Sequence, residues 1–594
     1  MKQDNSYLAP LKKRISKRSF VSFDIETYGD DNDFYSVGFY DGEKFDYYYT
    51  KQEAIKHIEN LDGKMFVATN LSFDLTGIYY PENWHKQNYV IRGGDIIISY
   101  YKEDKKKKFF DTMNYVKFSL AKLGKIIGED KLKPPSYWKK DKEGNIIKVP
   151  KPKNEKEREE LKVYNKKDCE VTYKFVEWLQ KELNNLGTNL ELTIAKTSLN
   201  HWRRNYQPFN LNRETGDIEE VRKLIYEAYF GGRTELFIQG EYELIYEDYN
   251  SLYPFTMLDN LPNPNTYFKP KKPSIKNISK YEGVSKVKIF VPKTFYPPVP
   301  YRKTISKTSS GKIIYKLVFP TGIIEGSYTH EELRYFEEVK CKILEVKDQI
   351  CYRGVYPFFR EFVKDLYNER QNKKGRSEEL IFKLLMNSCY GKFSERPLSM
   401  QQFINDEEAE DLIDKGFKDQ IKVYPDYCFF QEAEGDYKRY NFPIFSAYIT
   451  SKGRIKLHKN ISGSYYVDTD SHFTTKENKK SKELGGLKEE GRGLFTLVKP
   501  KFYSMKGQMI NKKGEYEDVE FYKVKGFSKP NKEKFFKLIE GKELSYNKFV
   551  KIRESIIQRL KVRSKKKQKK KYKIVDDKRI WYGGFSIPLS IENR

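Results

Sequence analysis

Apolar runs and amphipathic stretches alternate over the first third of the chain. The runs KRSFVSFDIET, MFVATN and VIRGGDIIISYY carry the apolar, β-branched and aromatic residues of buried strands. Helical stretches separate and follow them, and the longest extends from Glu155 to Leu183. Strands that alternate with helices predict an α/β domain ending near residue 190.

The pattern changes in the middle of the chain. Prolines cluster between residues 262 and 303, which predicts irregular, loop-rich structure. Residues Tyr356 to Lys392 predict two helices joined by NKKGRSEE. Residues 394–442 are polar and rich in turn residues, and strand patterns return at 443–475. We therefore expect an α/β and α+β multidomain chain with an inserted, separately folding middle region.

Charge and composition point to nucleic acid without proving it. The 594 residues carry a net charge of +28 together with 84 acidic residues, so the chain has a basic excess and not only a basic tail. The lysine run at 564–571 is most simply a solvated segment, although it could contact phosphates. An AT-rich genome would equally explain the abundant lysine, asparagine, isoleucine and tyrosine. Composition alone therefore does not decide the function.

Other classes of protein are disfavoured by what the sequence lacks. Five cysteines without paired spacing and only six histidines argue against a disulfide framework or a zinc cluster. The N-terminus has no apolar signal region, and no run approaches the length of a membrane span. We expect a monomer without membrane association in the cytoplasm, which would be the host cytoplasm if the chain is viral.

A first set of acids lies within the first 170 residues. Asp24 and Glu26 in FDIET project from one face of the predicted strand, and Asp74 follows in TNLSFD. In YNKKD, Tyr164 lies one helical turn before Asp168. Any one of these acids alone is most simply a surface residue. Together they supply what two-metal phosphodiester hydrolysis requires, namely ligands for two Mg²⁺ or Mn²⁺ ions and a phenol that orients water.

A second set of acids lies in the last two thirds of the chain. Asp468 and Asp470 in YYVDTDSH share one face of a predicted strand, although a polar hairpin turn would also explain them. Asp248 in YEDYNSLYP would complete a metal site with Asp470, and Asp468 would lie beside them.

One helix face adds groups suited to a nucleotide. In KLLMNSCYGKF, Lys383, Asn387 and Tyr390 fall on one stripe of a predicted helix. A solvated face explains the first two residues but not the tyrosine. A lysine here can hold a triphosphate and an aromatic ring can lie beside the sugar, as transfer of a nucleotidyl group requires.

These motifs, in this order, resemble those of family B DNA polymerases. Within that family they resemble the protein-primed branch of small linear-genome bacteriophages and linear plasmids. FDIET, TNLSFD and YNKKD are similar to the three exonuclease motifs, and DYNSLYP, KLLMNSCYG and YVDTDS to polymerase motifs A, B and C. The resemblance implies an RNase H-like 3′–5′ exonuclease domain and a right-hand polymerase domain with palm, fingers, thumb and two insertions.

The resemblance also implies roles for individual residues. The catalytic residues would be Asp24, Glu26, Asp74, Tyr164, Asp168, Asp248, Asp468 and Asp470. All of these except Tyr164 and Asp468 would bind metal, with two Mg²⁺ or Mn²⁺ ions in each active site. The nucleotide would contact Tyr253, Lys383, Asn387 and Tyr390. DNA would contact Thr27, Asn70, Phe73, Ser119, Leu120, Tyr229, Gly231, Gly232, Thr450, Arg454, Lys501 and Tyr503.

Spacing between the motifs is similar to that of the protein-primed branch. About 130 residues separate motifs A and B, and about 60 separate motif B from TSKGR, which resembles the two insertions. The implied domains are the exonuclease (1–192), palm (193–261 and 443–530), first insertion (262–355), fingers (356–393), second insertion (394–442), and thumb with basic tail (531–594). The departures are Arg-Thr-Glu after YFGG, a long second insertion and the lysine-rich tail.

The function implied by the resemblance is replication of a linear genome from a protein primer. The partners would be template and primer DNA, deoxynucleotides and a terminal protein, with proofreading and processive strand displacement. One alternative is a family B polymerase that uses a nucleic-acid primer or none. A DNA-coating protein on the same fold is another, disfavoured by intact Asp248, Asp470 and Lys383. The second acid set also argues against a nuclease alone.

Overall fold

A ten-stranded mixed sheet organises the N-terminal part of the computed structural model. The structure describes residues 7–80, 82–92, 94–141, 146–214, 218–307, 313–397, 401–424, 427–431, 437–511, 513–527, 530–552, 554 and 565–591. Across these residues the strands follow in the order Ile421–Tyr424, Tyr427–Gln431, Gln401–Ile404, Gln87–Arg92, Asp95–Tyr101, Lys108–Asp111, Met65–Ala68, Phe20–Tyr28, Asp33–Tyr40 and Phe45–Tyr48. The sheet packs with the helices Lys51–Asn60, Leu71–Tyr79, Leu120–Ile127 and Glu155–Asn185. The predicted α/β domain is confirmed.

The polar segment 394–442 extends this sheet. Its strand Gln401–Ile404 pairs with Gln87–Arg92 through Gln401 and Tyr89, and a helix, Asp406–Asp414, separates it from the hairpin of Ile421–Tyr424 and Tyr427–Gln431. The described part of the segment, which the sequence marks only as polar and rich in turn residues, thus contains three strands and one helix. Residues 398–400, 425–426 and 432–436 of the predicted insertion lie outside the described residues.

A seven-stranded antiparallel sheet forms the centre of the second half. Its strands, among the described residues, are Thr234–Leu236, Ser464–Asp468, Ser471–Thr474, Gly240–Tyr249, Leu487–Lys499, Phe502–Ile510 and Tyr516–Val524, in that order. Around it lie the helices Ile194–Asn205, Ile218–Ala228, Leu252–Thr256, Arg360–Asn372, Glu379–Lys392 and Pro443–Lys459. The two helices predicted between Tyr356 and Lys392 are confirmed.

The strand predicted to begin at residue 443 is wrong. Pro443–Lys459 is a helix, and Ile444, Phe445, Ile449 and Leu457 are buried in it. Its apolar residues lie all around the helix, because neighbouring elements bury it on several sides, so the sequence carries no amphipathic period. Proline at the first helical position is the signal that favours a helix here.

A five-stranded sheet fills the region in which loops were predicted. Its strands, in the described residues, are Tyr267–Phe268, Lys342–Tyr352, Glu282–Val291, Thr321–Thr329 and Ser590–Ile591, and the helices Ile275–Lys280 and His330–Glu338 accompany it. A hairpin of Tyr301–Lys307 and Ile313–Val318 projects beside it. Prolines therefore mark the connections, such as 292–300, and not the region as a whole.

The described C-terminal part contacts three regions that come earlier in the chain. Leu544–Phe549 pairs with the lysine strand Lys565–Lys570, after the helix Lys532–Ile539. Ile552 is buried in one cluster with Tyr89 and Phe429, so the C-terminal part contacts the ten-stranded sheet. The hairpin Arg579–Tyr582 and Phe585–Pro588 bridges to Ile238, and Ser590–Ile591 joins the five-stranded sheet. The domain bounds 531–594 for a thumb with a basic tail stay a prediction.

Short pairings complete the described structure. They are Tyr7–Leu8 with Leu211–Asn212, Lys139–Lys140 with Ile146–Lys148, and Leu261–Pro262 with Val355–Tyr356; single 3₁₀ turns lie at Trp84–Lys86, Thr112–Asn114, Pro264–Thr266 and Lys418–Gln420. No helix in the described ranges combines the length and apolar character needed to cross a bilayer.

Candidate active sites

The first acid set meets where the helix Glu155–Asn185 crosses the strand Phe20–Tyr28. Asp24 and Glu26 extend from the strand toward Asn165 of the helix. The amide Nδ2 of Asn165 donates to Asp24 Oδ2 at 3.1 Å and to Glu26 Oε1 at 3.2 Å. One amide therefore binds both carboxylates, and the packing of helix on sheet sets their positions.

Lys131 completes this first site and was not predicted from the sequence. Its Nζ lies 2.7 Å from Asp168 Oδ2 and 4.9 Å from the centroid of the Tyr164 ring. The ring of Trp138 packs edge-on against Tyr164, with centroids 5.5 Å apart. Lys131 lies in the irregular stretch GEDKLKPPS, which has no period or motif that would indicate a role.

The pKa values of the first-site carboxyls are raised, because burial and mutual repulsion outweigh the nearby positive charge of Lys131. Burial, then the charge of Asp168, raises the pKa of Asp24 to about 8, and burial with Asp24 raises the pKa of Glu26 well above its usual value. Burial also raises the pKa of Asp168, although Lys131 opposes the shift. Asp168 Oδ1 is buried and accepts no hydrogen bond within the described residues. The possible metal ligands here are all carboxylate oxygens, and their pKa values are raised. Such oxygen ligands fit Mg²⁺ or Mn²⁺.

Asp74 is held beside the same strand by the start of its helix. Its Oδ1 accepts from the backbone N–H of Ile25 at 3.2 Å. Asp111 accepts from the N–H groups of Asn70 at 3.1 Å and Leu71 at 2.9 Å, and burial raises the pKa of Asp111 to about 6. Asp111 is a second residue that the sequence did not indicate.

The acids of the first site lie near one another, and their immediate partners are other side chains of the protein. Within the described ranges, no three histidine, cysteine, aspartate or glutamate side chains are placed to bind one metal ion. Asn165 and Lys131 are instead the immediate partners of Asp24, Glu26 and Asp168. The carboxylates are thus held by an amide and an ammonium, and their role as metal ligands stays a prediction.

Five residues of the N-terminal part that were predicted to contact DNA are at least partly accessible. Asn70 and Ser119 are exposed, while Thr27, Phe73 and Leu120 are half-buried. Thr27 follows Glu26, and Asn70 and Phe73 flank the first turn of the helix that carries Asp74. Their role in binding DNA stays a prediction.

The second acid set lies in the seven-stranded sheet, with Asp248 in the strand Gly240–Tyr249, Asp468 at the end of the strand Ser464–Asp468 and Asp470 in the turn that follows. The prediction that Asp468 and Asp470 share one face of a strand is therefore wrong, and the hairpin turn that was its alternative is present.

Asp248 pairs with Ser471 across the strands, and the N–H of Tyr249 donates to the carbonyl of Asp470 at 2.8 Å. Burial, then the charge of Asp470, raises the pKa of Asp248 to about 7, and burial raises the pKa of Asp470. Lys488 Nζ lies 3.5 Å from Asp248 Oδ2. Two close carboxyls with one nearby ammonium fit a divalent cation.

Asp468 differs from its two neighbours because protein groups occupy its oxygens. Its Oδ1 accepts from Thr234 Oγ1 at 3.0 Å and lies 3.1 Å from Lys501 Nζ. Its Oδ2 accepts from the Tyr466 hydroxyl at 3.1 Å. Asp468 is thus tied into the fold beside Asp248 and Asp470.

Strained backbone marks both candidate sites. Six non-glycine residues in the described chain have positive φ, and four of them adjoin site residues: Asn70 at 77°, Ser251 at 54°, Thr469 at 68° and Lys501 at 62°. Thr469 forms the turn between Asp468 and Asp470. Such conformations cost about 1–3 kcal/mol each and persist where the surrounding structure imposes them.

Two tyrosines and two glycines form a tight pocket next to the second acid set. The rings of Tyr253 and Tyr390 have centroids 5.1 Å apart. A Cβ on Gly232 would lie 2.9 Å from the Tyr253 hydroxyl, and one on Gly453 would lie 3.0 Å from its Cε1. Lys383 and Asn387 are exposed on the helix that carries Tyr390, as the spacing predicts.

Three residues predicted to contact DNA are buried in this structure. Arg454 is buried; it binds Glu332 Oε1 through Nε at 2.9 Å and donates to the carbonyl of Phe230 at 2.6 Å. Thr450 is buried, and its hydroxyl donates to Ser446 O within its own helix. Tyr503 is 5% exposed and accepts from Lys523 Nζ at 3.1 Å.

Thr450 and Arg454 are buried because the helix Pro443–Lys459 lies inside the molecule, and Tyr503 is buried in the seven-stranded sheet. Arg454 donates to the carbonyls of Phe230 and Gly231, and Gly231 is exposed. Lys501 is half-buried, and its ammonium approaches Asp468.

The tripeptide Arg233-Thr234-Glu235 connects the second acid set to the C-terminal hairpin. Glu235 is buried between two guanidinium groups, with Arg233 Nη2 at 2.7 Å and Arg579 Nη1 at 3.2 Å. The carbonyl of Arg233 accepts from the N–H of Thr469 at 2.7 Å. The tripeptide that differs from the family motif therefore forms a buried ion-pair network next to the turn of Asp468 and Asp470.

Comparison with known proteins identifies the family. Residues 31–480 match the family described as DNA polymerase type B, organellar and viral, and the chain belongs to that family. A probable DNA polymerase of Neurospora intermedia is 30% identical over 355 residues, which cover 54% of this chain and 34% of the relative. A DNA polymerase of Acidianus bottle-shaped virus is 25% identical over 273 residues, 44% of this chain and 40% of the relative. The chain therefore spans well under half the length of either relative.

Solved structures support the same fold. The Phi29 DNA polymerase complexed with primer-template DNA and incoming nucleotide substrates has a TM-score of 0.66 and 17% identity, covering 90% of this chain and 96% of that chain. The fold class is thus an RNase H-like domain joined to a right-hand domain with insertions, as the motifs implied.

Proposed function

We propose that this chain is a DNA-directed DNA polymerase that also excises nucleotides from 3′ ends. The observation that carries the proposal is that two separate sheets each hold their own close carboxyls with raised pKa. Perturbed acids in pairs are a feature of catalytic sites. Family membership supports the polymerase reaction, and the similar Phi29 chain was solved with primer-template DNA and nucleotides.

In the polymerase site, the residues of this chain bind and orient a nucleotide. Asp248 and Asp470 would hold Mg²⁺ or Mn²⁺, which when bound supplies positive charge to the transferring phosphoryl group and the leaving pyrophosphate. Lys383, exposed on its helix, binds the triphosphate. Tyr253 and Tyr390 flank the sugar, and the contacts of Gly232 and Gly453 fix the Tyr253 ring.

In the exonuclease site, the residues position a water and a phosphodiester. Asp24, Glu26, Asp74 and Asp168 would hold the metals, and Asn165 sets the first two carboxylates. The Tyr164 hydroxyl keeps its proton at neutral pH because burial raises its pKa to about 12, so it orients the attacking water as a donor or acceptor. Lys131 keeps Asp168 charged and in place.

We further propose that a terminal protein supplies the priming hydroxyl and that synthesis is processive with strand displacement. Two regions support this: the four strands of the five-stranded sheet that lie within 262–355, and the extension at 401–431. Contact of Ile552 with the cluster of Phe429 would let the C-terminal part close around DNA. The alternative is a primer of nucleic acid, or none.

Reciprocal substitutions test the two-site proposal. Asp248→Ala or Asp470→Ala should abolish nucleotide addition and retain excision, while Asp24→Ala with Glu26→Ala should reduce excision by about 10³-fold or more and retain addition. Addition is measured on a primed template and excision on a single-stranded oligonucleotide, both with Mg²⁺. The proposal fails if either acid set controls both reactions equally.

Priming is tested separately with the unaltered chain. Template, Mg²⁺ and labelled dATP are incubated with and without a candidate terminal protein, and covalently labelled protein is sought. Labelling that requires the terminal protein supports protein priming. Equal synthesis with an oligonucleotide primer and no labelled protein supports the alternative.

A further inference from the structure

The C-terminal hairpin, residues 579–588, packs against the edge strand beside the second acid set. That edge strand, Thr234–Leu236, is the outermost strand of the seven-stranded sheet in the described part of the chain, and it pairs with Ser464–Asp468. Just beyond the edge strand, the N–H of Gln239 donates to the carbonyl of Gly584 at 2.7 Å. The hairpin therefore contacts the segment whose strand pairs with the strand of Asp468.

Two cations at the start of the hairpin bind the edge strand. Arg579 is 3% exposed, and its Nη1 lies 3.2 Å from Glu235 Oε1. Its Nη2 donates to the carbonyl of Phe295 at 3.1 Å, so the planar guanidinium is held on two sides. The neighbouring Lys578 donates through Nζ to the carbonyl of Thr234 at 2.5 Å. Both a side chain and a backbone carbonyl of the strand are thus fixed by the hairpin.

The edge strand in turn binds the turn of the second acid set. The N–H of Thr469 donates to the carbonyl of Arg233 at 2.7 Å, and Thr234 Oγ1 donates to Asp468 Oδ1 at 3.0 Å. Arg233 Nη2 lies 2.7 Å from Glu235 Oε2, so the same buried carboxylate joins this residue to the hairpin. Each step from the hairpin to the turn is a hydrogen bond, an ion pair or the backbone of the tripeptide.

The turn needs support from outside its own strands. Thr469 has a φ of 68°, which is unfavourable for a β-branched residue and persists where the surrounding structure imposes it. The strand pairing closes at Asp468 and Ser471, so Thr469 and Asp470 lie beyond the last pair. The hydrogen bond to the carbonyl of Arg233 is therefore a direct restraint on the backbone between the two aspartates.

We propose that Arg579 and Lys578 are positioning residues for nucleotide addition, which act through the tripeptide 233–235 on the turn that carries Asp470. The inference rests on the proposed polymerase function, in which Asp470 holds the metal. Groups that orient metal ligands contribute about 10- to 100-fold to metal affinity or activity, although they do not touch the substrate.

Arg579→Gln tests the proposal in the otherwise unaltered chain, on a template with an oligonucleotide primer. Nucleotide addition at saturating deoxynucleotide should fall by about 10- to 100-fold. The Mg²⁺ concentration for half-maximal addition should rise, because a looser turn holds Asp470 less well. Excision of a single-stranded oligonucleotide should be unchanged, which checks that the variant is folded. Arg579→Lys should recover part of the loss, since an ammonium can still pair with Glu235.

Arg334→Gln is the matched control for loss of an arginine. Arg334 also binds a glutamate and a backbone carbonyl: it donates to Glu282 Oε1 at 2.6 Å and to the carbonyl of Ile278 at 2.8 Å. These contacts lie in the region of the five-stranded sheet. The control should therefore leave both nucleotide addition and its Mg²⁺ dependence unchanged.

Lys578→Met is a milder second variant. Lys578 is only half-buried, and methionine fills much of the space of its aliphatic stem. The substitution removes one hydrogen bond to the edge strand, so the Mg²⁺ concentration for half-maximal addition should rise by about 3-fold. This variant decides the question if Arg579→Gln does not fold.

Two kinds of outcome overturn the inference. One is nucleotide addition with unaltered rate and Mg²⁺ dependence in the folded hairpin variants. The other is an equal loss of addition and excision, or a loss of addition without any change in Mg²⁺ dependence, which would make the hairpin contacts purely structural. Failure of the proposed function is distinguishable, because the unaltered chain would then add no nucleotide at any Mg²⁺ concentration.

Discussion

The two acid sets are built in different ways, although both place carboxyls with raised pKa on a sheet. In the first site, a helix brings Asp168 and Asn165 across the strand of Asp24 and Glu26, so packing between layers sets the distances. In the second, Asp248 lies on a strand and Asp470 in the turn of a hairpin paired with it, so strand register and the turn at Thr469 set them. The first site should therefore be sensitive to the helix and the second to the turn.

The largest effect that tests this difference between the two sites is a loss of excision on substitution of Asn165. Asn165→Leu keeps the side-chain size but removes the amide that binds both Asp24 and Glu26. Groups that orient metal ligands contribute about 10- to 100-fold, so excision should fall by that factor while nucleotide addition is unchanged. The Mg²⁺ concentration needed for half-maximal excision should rise as well, which a purely structural role would not require.

Gln180→Leu is the matched control on the same helix. Gln180 is also buried, but its amide donates to the carbonyl of Arg18, away from the carboxylates. If both variants reduce excision equally, the helix contributes only packing, and the contrast between the two sites is lost.

The sequence predicts the strand-borne part of each site better than the part that other elements contribute. Asp24 and Glu26 are recognisable because a strand places every second residue on one face. Asp468 and Asp470 do not share a strand, since Asp470 lies in the turn after Asp468, so that pair was recognisable by its motif and not by strand periodicity. Lys131 and Asp111 lie in stretches without periodicity, and their partners are remote in sequence. Their roles follow from tertiary contacts, which no local pattern contains.

Dependence on tertiary contacts also explains the errors in the predicted fold. The helix Pro443–Lys459 is apolar all around because it is buried on several sides, so its β-branched and aromatic residues suggested strands. Glu235, in the tripeptide that follows YFGG, forms a buried ion pair with Arg579, which lies about 340 residues later in the chain. Helices with flanking turn signals, such as Arg360–Asn372 and Glu379–Lys392, were predictable because their signals are local.

A smaller effect is expected at Tyr253, in the pocket beside the second site. By resemblance to motif A, this ring should exclude a 2′-hydroxyl from the incoming sugar. Tyr253→Val should raise use of ribonucleotides relative to deoxyribonucleotides by more than about tenfold, because more than about 1.4 kcal/mol of discrimination is lost. The ratio is measured by single-nucleotide addition with each substrate in turn.

Tyr253→Phe is the control, since it retains the ring that Gly453 contacts and should retain the discrimination. Excision should be unaffected in both variants because Tyr253 belongs to the second site. A ratio that stays constant in Tyr253→Val would assign the discrimination to another residue.

The smallest effect on chemistry, and the last test of the comparison, concerns the extension of the ten-stranded sheet. The strand Gln401–Ile404 adds to the sheet edge at Gln87–Arg92, whereas Asp24 and Glu26 lie on a strand well inside the sheet. Deleting about residues 398–432, joined at polar positions, should leave excision and gap filling nearly unchanged. It removes Phe429 from the cluster that buries Ile552, so a closed path around DNA would open. Products copied from a primed single-stranded circle should then shorten by several-fold when a trap captures released enzyme, and synthesis should stall at a downstream duplex. If the deletion variant still makes products many circles long with the trap present, processivity comes from elsewhere, and the lysine strand Lys565–Lys570 becomes the next region to alter.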